Sequence, residues 1–456
     1  MKSMALKSIS LIAALATLSI SLPLAAQDVQ LANRARIAYS VVNLGTLGGS
    51  ASNGFGGVTN RGWVTGDANL AGDQNEHAFL WRDGVMTDLG TLGGLNSSVG
   101  LPVKDDTGLI MGTAQTSTFD PLGEFWGKAF VCTNLNCEGW QNLELGFLWK
   151  DGVMTALPTL GGNNSAAVGV NNRGQVVGWA ETATQDASCV PPQVLDFEAV
   201  IWGPEPGQIQ ELPVFPGDSV AAALAINDNG QVVGTSGICA VPISFALGVH
   251  AVLWRHGSVI NLGGFGGVMN NSGLAINNAG QVVGISDLPG DTATHAFFWQ
   301  NGVMTDLGTL PGDVYSQADD INNKGQVVGV SCDANFNCRA FLWENGVMTD
   351  LNTLIPPDSP LYLTFGGGIN DRGEIAGTAC VISNGACTSE APAFLAVPCD
   401  DAHAGTEGCV DSAAGAPSAA QTVSEQPKVA LPESVRELLR MRLAFGRSGA
   451  WPTRLQ

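Results

Sequence analysis

Residues 295–313 read HAFFWQNGVMTDLGTLPGD, and near-copies begin at His77 (HAFLWRDGVMTDLGTLGG) and at Arg339 (RAFLWENGVMTDLNTL). Each copy sets two short apolar runs on either side of Asn-Gly or Asp-Gly, the pairs that close two-residue β-hairpins. A helix pair would not place these pairs between two β-branched, apolar runs. The phrase therefore predicts a repeated antiparallel hairpin.

A second phrase precedes the first and consists of an Asn-rich turn followed by an apolar strand, as in INNAGQVVG at residues 276–284. The turn ends in a glycine placed for a positive φ angle. Weaker copies such as VTNRGWVTG complete a set of seven, at intervals of roughly 45 to 66 residues. The turn glycines are Gly62, Gly108, Gly174, Gly230, Gly280, Gly325 and Gly373.

Four short antiparallel strands in each repeat are typical of a propeller blade. The first phrase after the leader, from Tyr39, is an isolated fourth strand, and the last repeat lacks one. We therefore predict an all-β, seven-bladed β-propeller of four-stranded antiparallel blades over residues 37–399. Its N-terminal strand, at residues 41–44, is expected to close the ring on the third strand around Phe394. The alternative of a β-helix is disfavoured, because it has shorter repeats of three strands.

Residues 1–26 predict a signal peptide, because Lys2 and Lys7 precede an apolar stretch that ends in small residues at Ala26. The stretch is short and broken by Pro23, which disfavours the alternative of an uncleaved anchor. No later segment is long and apolar enough to span a bilayer. We expect export to the cell surface or the medium, with the periplasm as the alternative.

Residues 400–430 contain an Ala-, Ser- and Pro-rich stretch that predicts a flexible linker, followed by an amphipathic helix at 431–446 and a tail at 447–456. The apolar side of the helix comprises Val435, Leu438, Leu439 and Leu443. A helix this short is marginal alone, and we expect it to dock on the acidic propeller or on an export partner.

The formal net charge of −21 disfavours nucleic acid and anionic membranes as partners, and solubility is its simplest role. We expect a monomer. Ten cysteines in an exported chain predict disulfides rather than zinc, since no spacing is CxxC. The expected pairs are Cys132–Cys137, Cys189–Cys239, Cys332–Cys338, Cys380–Cys387 and Cys399–Cys409.

The phrases HAFLWRDGVMTDLGTLGG and INNAGQVVG resemble the HAF repeats of bacterial extracellular repeat proteins, over roughly residues 40–397. The resemblance implies an exported repeat protein and brings no activity with it. Leu145, Glu198, Arg339 and Pro392 replace the repeat's histidine, which disfavours a chemical role for that histidine. The tryptophans that end the third strands favour core packing over sugar binding: Trp81, Trp149, Trp202, Trp254, Trp299 and Trp343.

Catalytic motifs such as GxSxG, HExxH and the P-loop are absent from the sequence. Asp218, Asp291 and Asp313 each follow Pro-Gly. Facing carboxylates of this kind would bind Ca²⁺ or act as an acid/base pair, but Pro-Gly-Asp is also an ordinary turn. We expect no cofactor, with Ca²⁺ as the alternative.

The two faces of the predicted disc differ. The plain face carries the tight first-to-second and third-to-fourth turns, whereas the elaborated face carries the variable second-to-third and fourth-to-first loops with nearly all the cysteines. The longest insertion, between Gly112 and Leu145, is rich in aromatic residues, which either bind a glycan or protein or cap the blade edge. The candidate ligand-binding residues are Phe125, Trp126, Trp140 and Trp179.

These patterns favour a secreted, non-catalytic binding or structural protein that acts through its elaborated face. The partner would be an extracellular glycan or protein. The alternative is a carbohydrate-active hydrolase or lyase that uses loop carboxylates on the same face. Carboxylates converging beside an aromatic-lined funnel would favour the enzyme, and dispersed carboxylates would favour binding.

Overall fold

The structure is a computed structural model that describes residues 39–124, 126, 141–187, 189, 191, 193–239, 248–403, 409 and 428–443. Its strands form seven antiparallel sheets, each with four blade strands, arranged as a seven-bladed β-propeller. The predicted fold class is confirmed. Within the described residues, no helix is long and apolar enough to cross a membrane.

The first three blades are each built from four consecutive strands. Blade 1 has β2 Gly48–Asn53, β3 Val64–Leu70, β4 Glu76–Arg82 and β5 Val85–Asp88. Blade 2 has β6 Gly93–Ser98, β7 Ile110–Phe119, β8 Asn142–Lys150 and β9 Val153–Ala156. Blade 3 has β10 Gly161–Val170, β11 Val176–Gln185, β12 Leu195–Trp202 and β13 Ile209–Glu211.

Blades 4 to 6 repeat this order. Blade 4 has β14 Val220–Ile226, β15 Val232–Gly237, β16 Gly248–Arg255 and β17 Ser258–Asn261. Blade 5 has β18 Asn271–Ile276, β19 Val282–Asp287, β20 Thr294–Gln300 and β21 Val303–Gly308. Blade 6 has β22 Tyr315–Ile321, β23 Val327–Cys332, β24 Cys338–Glu344 and β25 Val347–Asp350.

Blade 7 closes the ring with strands from both ends of the propeller. It combines β26 Leu361–Ile369, β27 Ile375–Ser383 and β29 Ala393–Pro398 with β1 Tyr39–Gly45, and the short β28 Ala386–Cys387 pairs with β27. β1 runs antiparallel to β29, with Asn43 opposite Phe394. The predicted closure is confirmed in its register.

The hairpins of the repeated phrase are closed by two residues with positive φ. Asn301 has a φ of 52° and Gly302 a φ of 86°, the combination that type I′ turns require. The same pair of positive angles occurs at Asp83, Asp151, His256 and Asn345 with the glycines that follow them. Asn-Gly and Asp-Gly recur because few other pairs adopt this turn without strain.

The glycine that ends the apolar run of each repeat, as in QVVG, is needed for a different reason. A Cβ on Gly329 would lie 2.0 Å from the carbonyl oxygen of Gln317 in the preceding strand, a distance that no side chain tolerates. Third-strand aromatic rings pack over the glycine of their own blade, as Phe394 does over Gly377. The glycine of the second phrase therefore packs against the aromatic ring of the first phrase.

Four of the five predicted disulfides are formed between described residues: Cys189–Cys239, Cys332–Cys338, Cys380–Cys387 and Cys399–Cys409. The fifth predicted pair, Cys132–Cys137, lies outside the described residues. Cys189–Cys239 joins second-to-third loops of blades 3 and 4. Several variable loops of the elaborated face are thus covalently braced.

The C-terminal helix, α1, spans Glu433–Arg442, a shorter range than the predicted 431–446. It packs on the propeller through Val435, Leu439 and Leu443, which are all buried, while Leu438 is partly buried. The predicted linker, residues 400–430, begins with a 3-10 turn at Asp401–His403, and its last residues pack with the helix.

Removing β1 is expected to open the ring. A chain that starts at Gly48 leaves the β29 edge unpaired and takes the buried Tyr39 and Leu44 out of the core, at a cost of at least about 4 kcal/mol. We expect a lower Tm and concentration-dependent aggregation by light scattering. A chain that starts at Gln27 retains β1 and is the control. Equal Tm and equal dispersity of the two chains would contradict the closure.

Candidate functional site

A cavity of about 140 Å³ lies on the propeller axis at the plain face. Its walls are the seven first-to-second turns, one from each blade, which contribute mostly asparagine and aspartate side chains. The volume is below the ~300 Å³ at which small-molecule sites usually begin. The cavity therefore has room for solvent or a small ion rather than for an organic ligand.

An outer belt of hydrogen bonds surrounds the mouth of this cavity. The backbone N–H of one residue in each turn donates to the side-chain oxygen of the equivalent residue in the next blade, at 2.8–2.9 Å, and the last bond returns from Asp371 to Asn60. The members of the outer belt are Asn60, Asp106, Asn172, Asp228, Asn278, Asn323 and Asp371.

An inner set of bonds lies directly behind the outer belt. In five blades, the Nδ2 of the preceding asparagine donates to the backbone carbonyl of its counterpart in the next blade at 2.9–3.0 Å. The donors are Asn171, Asn227, Asn277, Asn322 and Asn370. The Oδ1 of each also accepts two N–H groups of its own turn, so a single side chain both shapes the turn and joins two blades.

Blades 1 and 2 break the inner set, because Thr59 and Asp105 occupy the asparagine position. Asp105 Oδ1 accepts the N–H groups of Thr107 and Leu109, as asparagine Oδ1 does elsewhere. Its Oδ2 is buried without a hydrogen-bond partner. In five other blades the atom at this position is an Nδ2 that donates to the next blade, so we infer that Asp105 Oδ2 is placed opposite the Asn171 carbonyl, with two acceptors facing each other.

An ion pair crosses the channel beneath the cavity. Lys104 Nζ lies 2.6 Å from Asp320 Oδ2 and 3.0 Å from the Ile369 carbonyl oxygen, which joins blade 2 to blades 6 and 7. Burial raises the pKa of Asp320 even though Lys104 opposes the shift. The pair joins opposite sides of the channel, and its two charges are paired within the protein.

Side chains around the channel mouth are thus hydrogen-bonded or ion-paired to neighbouring blades. The sequence displays them as Asn-Asn and Asn-Asp doublets, from which we predicted only turns. Their second role was missed because the partner of each doublet lies in the next repeat. Loops of the elaborated face contribute no residue to the outer belt or to the inner set.

The four candidate ligand-binding residues divide into two groups. Phe125 and Trp140 lie outside the described residues. Trp126 and Trp179 are each only 1% exposed and belong to one core cluster that extends over blades 2 to 5. Their burial favours the packing alternative for these two rings, since neither presents a face to solvent.

Trp126 forms part of a buried polar network that sequence reasoning missed. Its indole N–H donates to Gln193 Oε1 at 3.1 Å, and Gln193 Nε2 donates to both Glu124 and Glu181, each at 3.1 Å. Glu124 Oε1 also accepts the N–H groups of Val194 and Leu195. The network fastens the insertion of blade 2 to the second-to-third loop of blade 3.

Glu124 and Glu181 are buried together and hydrogen-bond to each other. Burial, followed by the nearby Glu124 carboxylate, raises the pKa of Glu181 to about 9. Burial also raises the pKa of Glu124. At neutral pH the pair therefore holds at least one proton. A clue in the sequence is that Glu181 stands where blades 1 and 2 have the neutral Asn69 and Gln115.

The three aspartates that follow Pro-Gly are each engaged separately. Asp218 contacts His250 at 2.9 Å, Asp291 accepts the Val268 N–H at 2.8 Å, and Asp313 contacts Arg339 at 2.8 Å. They lie at blades 4, 5 and 6 and do not converge. Among the described residues, one metal-ligand cluster contains Asp186, Cys189 and Cys239, but its two sulfurs are bonded to each other.

The histidine of the repeat has a structural partner in its own hairpin. His77 Nδ1 lies 2.8 Å from Asp88, and His295 Nδ1 lies 3.0 Å from Asp306. In blade 6, Arg339 takes the same position and contacts Asp350 at 3.1 Å. These pairs explain why HAF and MTD recur together, and they support a stabilising rather than a chemical role.

Exposed apolar side chains concentrate on the elaborated face. Among the described residues, twelve large hydrophobic side chains are exposed, and five of them lie on fourth strands around the perimeter: Val42, Val85, Val153, Val303 and Val347. The other seven lie in or beside loops of the elaborated face: Leu95, Phe119, Leu122, Ile238, Val268, Met269 and Val314.

No protein-family model and no curated protein matches the sequence. Among solved structures, the chain is similar to a Mycobacterium tuberculosis puromycin-hydrolyzing peptidase, at 12% identity and a TM-score of 0.43, covering 76% of this chain and 53% of that one.

A Pyrococcus horikoshii acylaminoacyl peptidase gives 11% identity and a TM-score of 0.41, with coverages of 71% and 48%. The β-propeller domain of the Pyrococcus furiosus trilobed protease gives 11% and 0.37, with coverages of 63% and 77%. The chain spans about half the length of the two peptidases. Likeness at this level carries no argument about function.

The inner set of hydrogen bonds makes a paired prediction. Asp105→Asn supplies the missing Nδ2 donor opposite the Asn171 carbonyl, so we expect a stability gain of about 1 kcal/mol. Asn277→Asp creates the same opposition of acceptors in an intact blade, and we expect a loss of about 1–3 kcal/mol. Urea unfolding of both variants measures the difference. Destabilisation by both changes would contradict this account of the Asp105 position.

The buried carboxyl pair makes a prediction about pH. The folded state keeps a proton on Glu181 up to about pH 9, whereas the unfolded chain releases it near 4.5. This contribution to stability is therefore complete below 4.5 and declines as pH rises, by up to about 1.4 kcal/mol per unit.

Denaturant melts between pH 5 and 9 should show this decline, and Glu181→Gln should reduce it. Glu205→Gln, at an exposed position, is the matched control and should leave the slope unchanged. A slope that is equal in the wild type and in Glu181→Gln would show that the pair carries no such proton.

Proposed function

We propose that this chain is an exported, non-catalytic HAF-repeat protein that binds an extracellular partner through its elaborated face. The observation that carries the proposal is the concentration of exposed apolar side chains in loops of that face. Isolated apolar residues on a surface need no explanation, but adjacent ones such as Val268 and Met269 favour an interface. The disulfides support export, because such bonds persist in oxidising compartments.

The chemistry of the face favours a protein over a glycan. Of the seven exposed apolar residues that the structure describes on this face, six are aliphatic or methionine, and Phe119 is the one aromatic. Sugars are usually bound by stacking on flat aromatic rings, whereas aliphatic patches complement the apolar core of a protein interface. A glycan is therefore the second class of partner to test.

Among the described residues, the paired carboxyl groups of Glu124 and Glu181 are a feature that would favour the enzyme alternative. Both are buried, with 1% and 0% of their surface exposed, and both are bound to backbone or amide groups. A substrate has no access to them in this arrangement. The dispersal of Asp218, Asp291 and Asp313 also favours binding over catalysis.

The proposal is tested with arrays of secreted proteins and glycans, probed with the chain that starts at Gln27. We expect at least one protein to bind. The double variant Val268→Asp, Met269→Asp should weaken that binding at least tenfold, because a central apolar anchor is typically worth about 2 kcal/mol or more. Val153→Asp, an equally exposed change on the perimeter, is the control.

Two results would overturn the proposal. One is the absence of any ligand in both arrays. The other is binding that survives the elaborated-face variant and is lost with Val153→Asp. Product analysis of any glycan that binds separates binding from hydrolysis or elimination.

A further inference from the structure

The C-terminal cap, residues 428–443, lies on the elaborated face over blades 6, 7 and 1. Four apolar side chains spaced four apart point into the propeller and are at most 4% exposed: Leu431, Val435, Leu439 and Leu443. They share a core cluster with propeller residues, and we call the aromatic members and neighbours of this cluster the cap-binding surface: Phe55, Tyr315, Phe336, Tyr362 and Phe365.

Polar contacts fix the cap at its N-terminal end. Lys428 contacts the buried Asp313 carboxylate, lies 3.4 Å from Asp333, and donates to the Gly312 carbonyl at 3.2 Å. The Leu431 N–H donates to Asn337 Oδ1 at 2.9 Å. The propeller therefore contacts both a basic residue and a row of apolar residues of the cap. Together these contacts fix the position of the cap along the surface.

The loop closed by Cys332–Cys338 is shaped to hold the cap. It supplies Asp333, Phe336 and Asn337, and the Phe336 ring lies 5.1 Å beneath the Arg440 guanidinium. Phe336 has a φ of 59°, a conformation that is rare for a bulky residue. Backbone held in such a conformation tends to mark binding sites, where the surroundings enforce it.

The cap contributes nothing to ring closure. The seven blades are complete without it, since β1 supplies the last strand and α1 adds no strand to any blade. A helix of ten residues is marginal by itself and depends on its contacts. Residues 410–427 connect it to the last disulfide, and their Ala-, Ser- and Pro-rich composition is typical of a spacer.

We propose that the cap-binding surface is a docking site for amphipathic helices, with the cap as its resident, competing occupant. This role rests on the proposed protein-binding role of the elaborated face. It adds the kind of partner that binds and the segment that regulates access to the surface. The external partner is a helix of another protein with a lysine three residues ahead of apolar residues at i, i+4, i+8 and i+12. This is the helix-in-groove mode of recognition.

The tether sets the strength of the competition. Because the cap belongs to the same chain as the cap-binding surface, it competes at a high effective concentration. It therefore excludes weak helices and yields to those that bind much more tightly or that act after release of the cap. Release would also free Tyr362, which now hydrogen-bonds to the backbone of Val429. The elaborated face then has a closed state and an open state.

The test uses the chain that starts at Gln27 with a single substitution in the cap and a fluorescent peptide of residues 428–446. Leu439→Glu places a charge against the cap-binding surface and is expected to release the cap. The labelled peptide should then bind at least tenfold more tightly to Leu439→Glu than to the unsubstituted chain. Ser434→Glu adds the same charge on the exposed side of α1 and should behave as the unsubstituted chain.

Two peptide variants test the chemistry of the site. A peptide carrying Leu439→Glu should not bind, and one carrying Lys428→Ala should bind more weakly and with less dependence on salt. Near-UV circular dichroism checks that the Leu439→Glu chain is folded. Equal binding of the peptide to both chains, or no binding to a folded chain whose tail has become protease-sensitive, would overturn the proposal.

Hydrogen exchange on the unsubstituted chain decides the question even if Leu439→Glu fails to fold. We expect amides of residues 435–443 to exchange at least tenfold faster than those of the central blade strands, because the cap opens locally. Protection equal to that of the strands would make the cap a permanent part of the fold. The array experiment with Val268 and Met269 is independent of both results.

Discussion

Hydrogen bonds from each blade to the next around the axial channel are the constraint on which the rest of the structure depends. Every first-to-second turn donates a backbone N–H to a side-chain oxygen of the following blade, as Asn172 does to Asp228 Oδ1 at 2.9 Å. Such bonds are directional and continue from blade to blade around the axis. The circle is complete only because blade 7 bonds in turn to blade 1, where Asn370 donates to the Thr59 carbonyl and the Asp371 N–H donates to Asn60. Apolar packing holds neighbouring blades together, but this belt orients them.

This constraint explains why one face has short turns and the other has variable loops. The plain face carries short turns because its side chains are occupied by neighbours, and any insertion there would interrupt the belt. Loops of the opposite face take no part in it, which leaves them free to lengthen, to acquire disulfides and to expose apolar side chains. The difference between the faces therefore follows from where the blades are joined.

The fold was predictable from the sequence because its signals are local. An Asn-Gly pair such as Asn301-Gly302 specifies its own turn. The strand that ends at Gly45 has no preceding strands in its repeat, which predicts that it pairs with the last repeat. The belt was not predictable, although its residues were in view, because one sequence does not show which neighbour accepts a bond from Asn277 or Asn278.

The site was predicted less well, for a related physical reason. A tryptophan in a polar loop is equally consistent with an exposed anchor and with a buried ring whose N–H finds an acceptor, and Gln193, which satisfies Trp126, lies 67 residues away. Glu124 and Glu181 read as ordinary surface acids until the fold brings them together. The cap was recognised as an amphipathic helix, but its binding surface is assembled from blades 1, 6 and 7.

The pairing of β1 with β29 has a kinetic consequence. Asn43 and Phe394 are about 350 residues apart in the chain, so closing the ring is among the least local contacts that the fold contains. A chain made from its N-terminus has β1 ready long before β29 exists, and for that whole interval its strand edge has no native partner. The same contact that removes the open edge from the finished protein makes the unfinished chain dependent on whatever keeps it from aggregating.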